Sequence, residues 1–320
     1  MKRCGLLGRK LGHSYSPAIH ALLADYDYRL YEREPEELEN FLRAGDWDGL
    51  NVTIPYKKAV VPYCAELSDL ARELGSVNTL VRRPDGSIYG DNTDAWGFGS
   101  AVRRLGVPTA GKKALVLGSG GASVTVQAVL RSLGCRVVVI SRSGADNYEN
   151  IGRHADAGLL VNATPVGMYP NNGESRVNLD QLPQLEGVVD LVYNPARTRL
   201  LLDAQARGIP CESGLYMLVG QAVRACELWT GETLPRETQE RVWRQIGSQM
   251  QNLILIGMQR WNPCRPTPIR SRENAAGLRR KKRRKRIAPD MSRENRNQTA
   301  DVSRSVRPGS PGSLQARSFS

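Results

Sequence analysis

The run KKALVLGSGGASVTVQAVLRSLGCRVVVIS, Lys112 to Ser141, leaves few folds open. KKALVLG is a short, unbroken apolar run of the kind a strand buried on both faces requires, and CRVVVIS is a second one rich in β-branched residues. GGASVTVQAVLRSLG between them has apolar residues at helical spacing. Two strands joined through a helix pair in parallel, with a right-handed crossover. Further strands at GLLVNATP and VVDLVYN, with helices such as TRLLLDAQARG, extend the pattern. Residues 99–250 are therefore expected to form a doubly wound, Rossmann-like parallel sheet.

The turn GSGGAS, Gly118 to Ser123, lies between the first strand and its helix, where a phosphate-cradling turn belongs. Gly118 permits the tight turn, Gly120 lets the backbone approach a pyrophosphate, and the helix N-terminus offers free N–H groups. The third position of the G-x-G-x-x-G/A pattern is Ser123. At the end of the next strand an NAD site places Asp or Glu for the ribose 2′-hydroxyl. This chain has Ser141, Arg142 and Ser143 there. A guanidinium and two hydroxyls suit a 2′-phosphate, so NADP is the expected dinucleotide.

Residues 1–98 alternate short β-like runs (CGLLG, YRLYE, GLNVTI, NTLVRR) with helical patterns (SPAIHALLADY, EPEELENFLRAGD). The expectation is an N-terminal α/β domain with a largely parallel sheet, its first helix capped by Ser16 with Pro17 at the first helical position. GLYMLVGQAVRACELWTG and RETQERVWRQIGSQM are expected as helices, and the segment at about 216–250 to pack back across this domain. Polar clusters interrupt it at Ser14 and Ser16, at Asn51, Thr53 and Lys57, at Asn78, and at Asn92, Thr93 and Asp94. Hydroxyls, amides, one lysine and one aspartate suit a small polyhydroxylated ligand whose ring hydroxyls each need a partner. Singly, each has a structural explanation, because serines cap helices and Asn or Asp build turns.

The whole chain carries a formal net charge of +13, and so do residues 259–320 by themselves, which include the eight-cation run LRRKKRRKR, Leu278 to Arg286. The first 258 residues are neutral and carry no electrostatic signature of nucleic-acid binding. The tail lacks interleaved aromatics for base stacking and large apolar side chains for a core, and is expected to be disordered. Nucleic-acid binding through this tail is the alternative from another function class. The six cysteines form no C-x-x-C pair, no His/Cys/carboxylate cluster suggests a metal, and no apolar run approaches a membrane span. With no export signal read at the N-terminus, the expected location is the cytoplasm.

SYSPAIH, NVTIPYK, GSVNTL, GDNTDAWG, GSGGAS, NATPVGMYP, DLVYNP and GLYMLVGQA follow one another in an order and spacing that resemble the shikimate dehydrogenases over roughly residues 1–250. The resemblance implies NADP-dependent reduction of 3-dehydroshikimate to shikimate, toward the aromatic amino acids, in a cleft between a substrate domain and a Rossmann domain. It makes Lys57 the catalytic acid/base and Asp94 its partner, with Ser14, Ser16, Thr53, Asn78, Tyr193 and Gln221 as substrate contacts. It assigns Gly118, Ser119, Gly120, Gly121, Ala122, Ser141 and Arg142 to NADP, and Leu191 and Gly214 to the nicotinamide end. The family often carries a second arginine at the 2′-phosphate, where this chain has Asp146. The implied partners are the small-molecule substrate and at most a second copy of the chain, with no metal and no membrane. A quinate/shikimate dehydrogenase with relaxed substrate or cofactor use is the alternative within the enzyme class. QNLILIGM, Gln251 to Met258, resembles the opening strand of a P-loop kinase, although no G-x-x-x-x-G-K-[ST] follows. Some members of the family continue here into shikimate kinase, so residues 251–320 are expected to be a remnant strand plus kinase sequence read out of register.

Overall fold

The computed structural model describes residues 1–260 apart from His13, and of 251–260 the backbone path only. The chain runs β1 (Arg3–Gly8), α1 (Ser16–His20), β2 (Asp27–Glu32), α2 (Leu38–Ala44), β3 (Gly49–Val52), β4 (Glu66–Leu67), α3 (Asp69–Leu74), β5 (Thr79–Arg82), β6 (Ile88–Asp91) and α4 (Thr93–Leu105). It continues through β7 (Lys113–Leu117), α5 (Gly121–Ser132), β8 (Arg136–Ile140), β9 (Leu159–Asn162), β10 (Gly187–Asp190), α6 (Arg199–Ala206), β11 (Cys211–Ser213), α7 (Gly214–Thr230) and α8 (Glu237–Arg260).

The first sheet has the order β2-β1-β3-β5-β6-β4 and is parallel in three of its five pairings, β4 with β6 among them, with β5 as the antiparallel exception. β1 pairs in parallel with β2 and β3, whereas β5 runs antiparallel to both β3 and β6. The reason is local. β5 and β6 are joined by the turn RPDGS, in which Gly86 has φ +83° and Asp85 Oδ1 accepts from Ser87 N at 2.9 Å. A parallel connection needs a dozen or more residues, so so short a link can make only a hairpin. Alternate residues of this sheet face two cores. Leu7 and Leu80 join Leu38, Leu42 and Trp47 on the α2 side, and Cys4 lies with Ile19, Val223 and Trp229 on the other. α1 starts one residue earlier than its serine suggests: Tyr15 is the N-cap, with no side-chain cap, and Ser16 is already helical.

The second sheet, β11-β10-β9-β7-β8, is parallel throughout. Its central strands β7, β9 and β10 are buried on both faces, as unbroken apolar runs require, while the edge strands β8 and β11 are partly exposed. Ala114 and Val116 face Phe98, Val102, Val126 and Leu130 of α4 and α5, while Leu115 and Leu117 face Leu200, Leu201 and Ala204 of α6. Not every crossover is an α-helix. β8 reaches β9, and β9 reaches β10, through irregular chain with single 3₁₀ turns at Ile151–His154 and Leu179–Gln181. Ile151, Val177, Leu179, Leu182 and Leu185 from these connections seal the α6 face.

α4 does not stop at residue 98 but continues to Leu105, and α7 and α8 lie against the first sheet's core through Val219, Ala222, Trp229, Val242 and Ile246. Trp229 Nε1 donates to Leu80 O of β5 at 3.0 Å. Residues 251–258, expected as a strand, instead continue α8. Extending an existing helix fixes one residue per hydrogen bond, whereas a lone strand has no ladder to join. The basic run at 278–286 lies outside the described residues, and no described helix is long and apolar enough to cross a membrane.

His20 sits fully buried between the rings of Tyr28 (centroids 4.2 Å apart) and Trp229 (5.1 Å), with Nδ1 2.5 Å from Tyr26 Oη and Nε2 without a partner among the described residues. Burial pushes its pKa down to about 3, against a weaker opposing pull from Asn51. The folded state therefore holds His20 neutral while the unfolded chain takes up a proton near pH 6.5. This contribution to stability is complete above pH 6.5 and is lost, at about 1.4 kcal/mol per unit, as pH falls toward 3. Urea unfolding at pH 7 and pH 5 should show wild type losing about 2 kcal/mol more than His20→Asn over that interval. Equal losses would mean that His20 is not held neutral.

Candidate active site

The site is assembled where the first sheet ends. Beyond β3, Thr53 N donates to Leu7 O (2.9 Å) and the chain turns tightly, Tyr56 N donating to Thr53 O (2.9 Å). Val77 N then binds Lys57 O at 2.8 Å, and Asn78 N binds Asp91 O at 3.0 Å. These bonds lace the Lys57 turn, the start of β5 and the junction between β6 and α4 into one rim. Asn92 gives α4 no side-chain cap. Asn78 Oδ1 takes over that task, accepting from Thr93 N (2.7 Å) and Thr93 Oγ1 (3.1 Å).

Asp94 therefore occupies the first turn of α4, where the helix dipole favours a carboxylate. Lys57 Nζ lies 2.5 Å from Asp94 Oδ2, with side chains 33% and 19% exposed. A lysine has three donors and a carboxylate two oxygens. No other side-chain bond engages either group among the described residues, so two ammonium protons and one carboxylate oxygen remain uncommitted. Partial burial makes them stronger partners than the same groups in open water.

The other expected substrate residues come from both sheets' surroundings. Ser14 Oγ accepts from Ser16 N at 3.2 Å, and Ser16 is buried at the start of α1. Tyr15 between them meets Tyr193, from the loop after β10, edge to face at 6.0 Å. Burial raises the Tyr193 phenol, helped by Tyr15. Gln221 is buried in α7, its Nε2 committed to Leu218 O (2.8 Å), and its backbone packs against Gly97 one turn beyond Asp94. Lys57, Asp94, Asn78 and Thr53 thus share one rim, with Gln221 beside it, while Ser14 and Ser16 meet Tyr193 through Tyr15.

The glycine turn lies at the crevice where the strand order reverses, between β7 and β9. Gly118 has φ +100°, and a Cβ there would stand 2.6 Å from Thr164 Cγ2 of the loop after β9. Gly120, the N-cap of α5, has ordinary backbone angles, and a Cβ on it or on Gly121 would meet nothing within 4 Å. The chain's own packing therefore does not require these two glycines, whereas a ligand resting on the backbone does. The start of α5 has no side-chain cap, which leaves its first N–H groups available to an anion. A dinucleotide's phosphates fit this arrangement. Leu191 and Gly214 meet directly, a Cβ on Gly214 falling 2.0 Å from Leu191 O. Arg142 and Ser143 are exposed at the end of β8.

Residues 6–80 match the Shikimate dehydrogenase substrate binding domain, and residues 214–241 the Shikimate 5′-dehydrogenase C-terminal domain. The NADP(+) shikimate dehydrogenase of Methanopyrus kandleri is 41% identical over 266 residues, covering 73% of this chain and 91% of its own. That of Clostridium perfringens is 35% identical over 268 residues, covering 77% and 98%. The chain belongs to the shikimate dehydrogenase family. Among solved structures, a chorismate mutase/shikimate 5-dehydrogenase fusion protein from Clostridium acetobutylicum superimposes with a TM-score of 0.74 at 33% identity, over 78% of this chain and 99% of that one. A Thermus thermophilus shikimate dehydrogenase in complex with NADP(H) and shikimate gives 0.69 at 34% identity, over 77% and 99%.

Two features of the chain go beyond what residue types mark in the sequence. Asp190 at the end of β10 is fully buried and accepts from Asn162 Nδ2 (2.8 Å), Val192 N (3.0 Å) and Thr198 Oγ1 (2.6 Å). Burial raises its pKa against these three bonds. The network fixes the loops that carry Thr164 and Leu191; its only sequence signal is a polar residue ending each of two apolar strands. Arg176, 5.8 Å from the Tyr148 ring centroid, brings a second guanidinium to a tyrosine that also feels Arg142, and no sequence pattern marks it.

The glycine turn yields a paired expectation. Gly118→Ala should cost about 1–3 kcal/mol of stability, because it combines a positive φ with a contact against Thr164. Gly120→Ala should leave the urea midpoint within about 0.5 kcal/mol of wild type, yet weaken dinucleotide binding in a calorimeter. Equal destabilisation by both would make the turn a purely structural feature.

Proposed function

We propose that the chain catalyses the reversible NADP-dependent reduction of 3-dehydroshikimate to shikimate, a step toward the aromatic amino acids, with Lys57 and Asp94 as its acid-base pair. The reading rests on family membership together with one geometric fact, the half-buried Lys57–Asp94 pair with protons and an oxygen unspent. NADPH, when bound, supplies the hydride. As the substrate's carbonyl oxygen becomes negative, the Lys57 ammonium stabilises it and delivers the proton that makes the product hydroxyl. In the oxidation direction the same nitrogen removes that proton. Asp94 Oδ2 holds Lys57 in place, and its second oxygen can accept from a neighbouring ring hydroxyl.

Ser14, Ser16, Thr53, Asn78, Tyr193 and Gln221 would partner the remaining hydroxyls and the carboxylate. Asn78 suits the task because its oxygen is spent on Thr93 while its Nδ2 makes no bond among the described residues. Gly118 to Ala122 and the start of α5 would seat the pyrophosphate, Ser141 and Arg142 the 2′-phosphate, and Leu191 and Gly214 the nicotinamide end. The basic tail is read as kinase sequence out of register; one of the other two frames beyond codon 258 should encode a Gly-Lys-Ser/Thr loop and an Asp-x-Asp downstream, and the absence of both would remove that idea.

The function is tested on the full chain with shikimate or quinate against NADP or NAD. Shikimate with NADP should give the highest kcat/KM; quinate preferred over shikimate would make this a quinate dehydrogenase. Lys57→Ala should lower kcat by about 10²- to 10⁴-fold with KM within a few-fold, because its help is greatest in the transition state. A large KM rise at unchanged kcat would instead make Lys57 a binding residue.

A further inference from the structure

In the stretch that follows β8, Asp146 lies four residues beyond Arg142, a position from which a carboxylate could neutralise that guanidinium or repel a phosphate beside it. The loop between them is tightly braced. Ser141 N donates to Asp146 O at 3.1 Å and closes it. Asn147 Oδ1 accepts from Glu149 N (3.0 Å) and Asn150 N (3.2 Å), while Asn150 Nδ2 donates to Ala145 O (2.8 Å). This bracing leads into the 3₁₀ turn Ile151–His154 and returns its last residue toward the loop.

His154, whose side chain is 12% exposed, places Nε2 2.8 Å from Asp146 Oδ1. Arg142 is exposed and makes no hydrogen bond or ion pair among the described residues. Asp146, the acid at the family's second-arginine position, is thus engaged by an imidazole nitrogen and not by the guanidinium. We propose that His154 is a specificity-positioning residue: by holding Asp146, it leaves Arg142 free for the cofactor's 2′-phosphate in a chain that carries an acid where the second arginine of the sequence pattern would stand. The inference rests on the reading of this loop as the 2′-phosphate seat. Without the His154 bond, Asp146 can turn to pair with Arg142 or stand as an anion against the phosphate, and either outcome disfavours NADP and spares NAD, which has no charge at that position.

The test uses calorimetric dissociation constants of the full chain for NADP and NAD, with no turnover required. His154→Leu should weaken NADP about tenfold or more and NAD less than about threefold, since a like-charge contact in a binding site costs at least one factor of ten. His154→Gln, which retains an N–H donor, should keep the wild-type ratio, and His154→Leu with Asp146→Asn should restore it. Equal weakening of both dinucleotides, or no recovery in the double variant, overturns the proposal. Should His154→Leu fail to fold, His154→Asn, too short to reach the carboxylate, is read by the same two constants. Wild type that binds neither dinucleotide removes the underlying reading; wild type that prefers NADP with His154→Leu unchanged removes only the role of His154.

Discussion

The contact on which the arrangement depends is a crossing of two helices at glycine. A Cβ on Gly97 of α4 would stand 2.5 Å from Met217 O and 2.8 Å from Gln221 N of α7. One on Gly220 of α7 would stand 2.6 Å from Gln239 Nε2, 2.9 Å from Ser100 Oγ and 3.0 Å from Gly97 Cα. Backbone meets backbone here, and any side chain would push the helices apart. Both helices also serve both sheets. α4 starts at Thr93 beside the first sheet, with Asp94 in its first turn, and packs its later residues, Phe98 and Val102, onto the second. α7 starts at Gly214 against Leu191 and ends with Trp229 in the first sheet's core. Moving either helix would therefore shift the Lys57–Asp94 pair relative to the loop after β10.

Around that crossing, polar side chains bond the fold with some atoms and leave others uncommitted among the described residues. Asn78 spends its oxygen on the start of α4 and keeps its amide nitrogen free; Gln221 spends its nitrogen on Leu218 O and keeps its oxygen. Asp94 gives one oxygen to Lys57. Each group is thereby oriented before a ligand arrives, so less ordering entropy remains to be lost on binding. The cost of this design is that a site residue is also a fold residue. Buried Asn78 cannot be replaced without uncapping α4, which is why stability and activity would be hard to separate at this position.

How much of this could be read in the sequence depends on whether a feature is local. The parallel sheet was legible because unbroken apolar runs flank a glycine turn, and the ladder from β11 to β8 has that form. The antiparallel exception in the first sheet was not, because antiparallel pairing is decided by the shortness of the RPDGS link, and Ile88–Asp91 is too short and too polar to announce a strand. Gln251 to Met258 is apolar enough for a strand or a helix, and only the preceding turns of α8 decide between them. Individual site residues were visible as polar interruptions, but their grouping came only from the family resemblance and not from the residues themselves. That Lys57 meets Asp94 follows from bonds such as Val77 N to Lys57 O, which join segments distant in sequence. The stacking of His20 between Tyr28 and Trp229 was invisible for the same reason.

Charge gives the last step. The first 258 residues are neutral as a whole, so the net charge of this part gives no attraction for an anionic substrate or a polyanionic cofactor. It must come from placement: one ammonium at the rim, the start of α5, and an exposed guanidinium after β8. Each of these is kept available by a different neighbour. Asp94 holds Lys57 without consuming all its protons, glycine at the N-cap keeps α5 uncapped, and Asp146 is engaged by His154. In a neutral body, selectivity for anions rests on which cations are left unpaired. A single misdirected carboxylate therefore weighs more here than it would in a folded body with a surplus of positive charge.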